Sequence, residues 1–178
     1  LSADDILKPN SVKILCDEAE KLGNKSYSNI IYSNYDIIDE SGKIIDSYNE
    51  PNHNDLESFQ RNVILLDHFY GNGDTTLIHK SVFEKCGNFN EKIRFKDDYE
   101  FWLRCCMIFG LKLHLVAQNT ASYRVHKNQL TKTKFHYSLE QIQQIKVLIL
   151  NKLSDEIKSK YLLELKKYQK QKPFDVKA

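Results

Sequence analysis

Residues 28–48 read SNIIYSNYDIIDESGKIIDSY. Apolar and aromatic β-formers fill both halves. A polar turn, Glu40-Ser41-Gly42-Lys43, separates them, so the pattern predicts two β segments joined by that turn. Before this stretch, Pro9-Asn10-Ser11 offers a helix entry. SVKILCDEAEKL (11–22) then puts Val12, Leu15, Ala19 and Leu22 on one helical face, and Gly23-Asn24 stops it. After it, EPNHND (50–55) is a polar loop. DLESFQRNVILLDHF (55–69) has helical spacing with Asp55 as its cap.

Further along, YGNGD (70–74) reads as a glycine-bearing loop, TTLIH (75–79) as a short strand and KSVFEKCGNF (80–89) as a short helix ended by Gly87. DDYEFWLRCCMIFG (97–110) is a helix with two acids in its first turn and Gly110 at its end. LKLHLV (111–116) and NTASYRVH (119–126) are strand-like. From Tyr137 to about Lys172 the pattern is helical, broken near Ser154-Asp155. Lys127-Lys134 is the linker that separates a mixed part, 1–131, from a helical extension, 132–178. Strands and helices mingle without a repeat, which predicts an α/β fold.

A net charge of +2 gives no strong field for nucleic acid, and the expectation is that none is bound. No apolar run approaches the ~20 residues of a membrane span. The basic residues concentrate in KSKYLLELKKYQKQK (158–172), an amphipathic stretch that suits peripheral membrane contact, packing on its own domain or a second copy of the chain. The four cysteines, Cys16, Cys86, Cys105 and Cys106, include no CxxC pair and read as reduced, mostly buried thiols of a cytoplasmic protein.

Three short stretches can carry chemistry. Asp4-Asp5 in LSADDILKPN are hard oxygen ligands of the kind Mg²⁺ and Mn²⁺ prefer; the alternative is a solvated turn. Asp97 and Asp98 open a helix, where the exposed N–H groups favour carboxylates as caps, while the functional alternative makes one of them a general base. In ASYRVHKNQLT, Arg124 reads as a phosphate clamp or a plain ion-pair partner, and His126 as a ligand or a packing residue.

Taken in order, these stretches resemble the catalytic region of family 2 glycosyltransferases. SADDILKP is similar to that family's D-A-D-D…P metal motif, and YSNYDIIDESGKII to its Y-S-x-Y…I-D-x-x-G-K hairpin. CGNFNEK is similar to G-G-F-D-E, DDYEFWLR to E-D-x-x-L-W-L-R, and YRVH to Y-R-x-H. The resemblance runs from Leu1 to Thr131. It implies a GT-A fold, here an incomplete one: a mixed sheet flanked by helices. The implied reaction is inverting transfer of a sugar from a nucleotide-diphospho-sugar to the hydroxyl of a saccharide or lipid-linked acceptor, with a divalent cation, Mn²⁺ or Mg²⁺, as cofactor.

By the same resemblance Asp98 matches the base, with Asp97 beside it in place of Glu. Asp4 matches the metal-motif acid, Asp5 is its neighbour, and His126 completes the metal or diphosphate site, with Arg124 on the diphosphate. Trp102 is expected in the core and Arg104 in a structural ion pair. Ser2 stands where the motif's first Asp is usual. The family's nucleotide-binding half precedes the metal motif, so the expectation is an acceptor-side part that lacks full activity alone, with an exposed sheet edge. The setting it suggests is surface polysaccharide or glycolipid assembly at the inner face of the plasma membrane. The rival reading is a non-catalytic binding module with the same fold.

Overall fold

The structure, a computed structural model, describes Ser2 and residues 4–68, 72–129 and 135–171. Its strands are β1 (Ile6–Leu7), β2 (Asn29–Ile38), β3 (Ile44–Tyr48), β4 (Thr76–Ile78) and β5 (Lys112–Arg124). Its helices are α1 (Ser11–Leu22), α2 (Ser58–Asp67), α3 (Lys80–Cys86), α4 (Asp97–Leu103), α5 (Phe135–Leu150) and α6 (Asp155–Gln171). The sheet is open and mixed, in the order β1-β5-β2-β3, with β4 beside the first half of β2. β2 is its centre, parallel to β5 and antiparallel to β3 and β4.

The hairpin read from residues 28–48 forms as predicted. Asp39 N–H donates to Lys43 O (3.0 Å) and Gly42 N–H to Asp39 O (3.0 Å), closing the turn. The alternation of β2 divides the core. Ile30 and Tyr32 join a large cluster with Leu65 and Leu66 of α2, Phe101 and Trp102 of α4, and Ile145 and Ile149 of α5. Ile31 joins Val116 and Leu15 of α1 in a smaller one. Helices therefore cover both faces, as a period of two in a central strand requires. Both C-terminal helices share the large core, through Ile145, Ile149 and Tyr161. The boundary placed between 131 and 132 lies outside the described residues.

Several expectations change. LKLHLV and NTASYRVH belong to one strand, not two. Ser33 faces Val116 and Asn34 faces Asn119, so Ala117 and Gln118, both exposed, bulge out of the ladder. Val12 is off the buried face of α1, at 62 % exposure, because Leu15, Ala19 and Leu22 set the packing angle. Asp55 does not cap α2. The N-cap position is Glu57, and no side chain caps there. The helix from Asp97 does not stay α-helical to Gly110, since Arg104–Ile108 widens into a π turn, with Phe109 N–H reaching back to Arg104 O (3.3 Å). Cys86, Cys105 and Cys106 are buried free thiols and Cys16 is partly exposed. Among the described residues no helix is long and apolar enough to cross a membrane.

Candidate functional site

The register of β1 brings the first and last polar motifs together. Ile6 pairs with Ser122 in antiparallel sense, so the residues before β1 lie beside those that end β5. Arg124 N–H donates to Asp5 Oδ1 (2.8 Å) and Arg124 Nε–H to the Asp4 carbonyl (2.9 Å). His126 Nε2 sits 2.9 Å from Asp4 Oδ2, joining residues 122 apart in sequence. Both side chains are partly exposed, His126 at 25 % and Asp4 at 39 %.

The other two members of this group face inward. Arg124 Nη1 donates to the carbonyls of Asp39 (2.9 Å) and Glu40 (3.1 Å), so the guanidinium ties the β2–β3 turn to the main chain at Asp4. Asp5 is buried against Asp74. Burial, reinforced by the hydrogen bond with Asp74, pushes its carboxyl up to about 7. Asp74 is held below the ordinary carboxylate range by its bonds from Asp5 and from Ser2, whose N–H donates to Asp74 Oδ1 (2.6 Å). At neutral pH Asp5 thus tends to carry the proton and Asp74 the charge. Asp74 escaped the sequence reading. A lone Asp after two glycines carries no pattern, and only the fold sets it against Asp5.

The second acidic pair stands at the start of α4. Lys96, in the left-handed region (φ 63°), occupies the N-cap position, so neither Asp97 nor Asp98 is the cap. Asp97 is exposed. Asp98 is half-buried and accepts the Tyr99 N–H at Oδ1 (2.8 Å). Burial raises its pKa, against the lowering from that hydrogen bond and from Lys96. Tyr99 OH donates to the carbonyls of Leu65 (3.0 Å) and Leu66 (3.2 Å), anchoring this end of α4 to the last turn of α2.

Trp102 and Arg104 are structural. Trp102 is 1 % exposed and packs in the large core. Arg104 holds buried Glu100 with two bonds (Nε–Oε1 2.9 Å, Nη2–Oε2 3.1 Å) and donates to the carbonyls of Cys86 and Asn88.

Among the described residues no group of three or more His, Cys, Asp and Glu converges on one point. Asp4 and His126 offer a carboxylate oxygen and an imidazole nitrogen on partly exposed side chains that meet, as His114 and Glu18 also do (2.9 Å), but only the first pair joins the motifs read as a site. That donor set fits a divalent cation completed by ligand oxygens and water. Asp5 fits the supporting position behind it.

No protein-family model matches the chain. The chain is similar to an uncharacterized glycosyltransferase of Rickettsia prowazekii (strain Madrid E), with 26 % identity over 156 residues, covering 88 % of this chain and 48 % of that protein. An uncharacterized glycosyltransferase of Rickettsia typhi is similar at the same identity and coverage. One from Rickettsia conorii is 31 % identical over 134 residues, covering 74 % of this chain and 21 % of that protein. The chain spans about half the length of the first two and about a fifth of the third.

Proposed function

We propose that the chain is the acceptor-side part of an inverting glycosyltransferase of family 2 type and GT-A architecture. The observation that carries this reading is the meeting of Asp4 and His126, two residues from motifs at opposite ends of the resemblance. The similarity to proteins named glycosyltransferases supports it.

In this reading Asp4 and His126 would hold Mn²⁺ or Mg²⁺, whose charge would offset that of the leaving diphosphate. Arg124 fixes Asp4 through its main chain, and Asp5 with Asp74 fixes the backbone from below. Asp98 takes the acceptor proton. The acceptor oxygen then bonds to the anomeric carbon as the bond to the diphosphate oxygen breaks on the opposite face, and the nucleoside diphosphate departs. Burial of Asp98 raises its basicity, which suits a general base better than a fully solvated Asp would. Leu162 and Leu163 are exposed on the lysine-rich helix α6, which supports peripheral contact with a membrane carrying a lipid-linked acceptor.

Asp98→Asn in the natural gene product tests this reading. The expected result is loss of nearly all sugar transfer from nucleotide-sugars with the fold intact. Unchanged transfer in the variant would sink the assignment.

A further inference from the structure

The polar loop after β3 meets the end of α2 at Glu50 and His68. His68 Nε2 lies 3.3 Å from Glu50 Oε2 and 3.0 Å from Tyr48 OH. The Glu50 side chain is 1 % exposed and the His68 side chain 36 %, so His68 is the member that reaches solvent. Asn34 of β2 locks the arrangement by accepting the Glu50 N–H at Oδ1 (2.9 Å).

Three tyrosines run from this point across the sheet. Tyr35 stacks on Tyr48 (centroids 5.0 Å apart, planes 17° apart) and meets Tyr123 edge-on at 5.9 Å. All three are half-buried, and none belongs to either hydrophobic core. Burial pushes the Tyr48 hydroxyl up to about 12, with Glu50 adding to it, so the phenol stays neutral.

Their position is what gives them meaning. Tyr123 precedes Arg124, which holds Asp4 and Asp5. In the sheet Tyr35 pairs with Tyr48 of β3 and with Ala121 of β5, two residues before Tyr123. His68 follows the last turn of α2, where Leu65 and Leu66 anchor Tyr99 beside Asp98. The tyrosines therefore start beside the residue that holds Asp4 and Asp5, and their row ends at His68, where Tyr48 OH meets the imidazole.

A row of half-exposed aromatic faces beside a hydrogen-bonding imidazole matches the two-sided chemistry of a sugar ring. The C–H face of a pyranose packs on aromatic rings, and its hydroxyls pair with polar groups at the edge. We infer that Tyr35, Tyr48, Tyr123 and His68 form a subsite for a pyranose of the acceptor saccharide, with Glu50 as the residue that positions His68. This rests on the glycosyltransferase reading and adds the residues that would hold the acceptor sugar.

The test uses the 178-residue chain and methyl β-glycosides of glucose, galactose and N-acetylglucosamine, with uridine as a control. Saturation-transfer NMR reads binding, and circular dichroism checks the fold. At least one glycoside is expected to bind at millimolar strength, with the transfer concentrated on its C–H face. Tyr48→Phe keeps that binding, while Tyr48→Leu and Tyr123→Leu each weaken it about tenfold or more. Glu50→Gln weakens it less than Tyr48→Leu and leaves the C–H contacts in place. The inference is overturned if no glycoside binds, if either folded Leu variant binds as well as the parent chain, or if uridine alone shows saturation transfer. Neither metal nor diphosphate enters this assay, so its failure and a failure of the Asp98→Asn experiment are separate results.

Discussion

Arg104→Met tests the packing beneath the site. Arg104 is 8 % exposed, and its fork serves the Glu100 carboxylate and the carbonyls of Cys86 and Asn88. Methionine fills much of the volume but donates nothing. Glu100, 1 % exposed, would be left as a buried charge without its counterion. Breaking a buried pair from one side costs about 3–5 kcal/mol. That is a large part of the roughly 5–15 kcal/mol that holds a domain together. At about 2–4 °C per kcal/mol for a chain of this size, Tm should fall by roughly 10 °C.

Urea unfolding followed by circular dichroism gives the free energy directly. The slope should not change, because the surface exposed on unfolding does not. The double variant Glu100→Gln with Arg104→Met removes the stranded charge and should recover part of the loss, so the two changes must be non-additive. A loss below about 1 kcal/mol for Arg104→Met, or strict additivity in the cycle, would refute the reasoning.

Three further outcomes follow from local geometry. Gly87 has φ +79°, where a side chain is strained, and an added Cβ would stand 3.6 Å from Arg104 Nη1; Gly87→Ala should cost about 1–3 kcal/mol in the same melts. Asp98 has a folded-state pKa raised by burial, so folding favours its protonated form. Its contribution is greatest at low pH and is lost as pH rises through the folded value, and in Asp98→Asn this dependence should vanish with no loss of stability at pH 7. His53 is depressed by burial from 6.5, so its neutral form is the folded one. Stability should fall as pH drops below about 6.5, and His53→Gln should flatten that fall in melts between pH 7 and pH 5.

Much of this fold is legible in the chain because its elements are locally consistent. The Glu40–Lys43 turn, the glycines at 23 and 87 and the break before Asp155 each mark a boundary through backbone chemistry alone. What escaped reading depends on partners distant in sequence. Ala117 and Gln118 look like a loop between two strands, yet β2 runs past them and makes one bulged strand. Arg124 reads equally well as a phosphate clamp or a structural tie, and only the carbonyls of Asp4, Asp39 and Glu40 show what it holds. Asp4 and His126 were legible as candidates from motif order, whereas Asp74 meets Asp5, and Glu50 meets His68, only through the fold.

Manganese binding read by electron paramagnetic resonance tests the central claim most directly. Titrating Mn²⁺ into the chain should convert free Mn²⁺ signal to bound, and Asp4→Asn and His126→Ala should each restore the free signal while melting like the parent chain. Retention of Mn²⁺ by both folded variants, or no bound Mn²⁺ in the parent chain, would contradict the assignment of Asp4 and His126 to a cation-assisted sugar transfer.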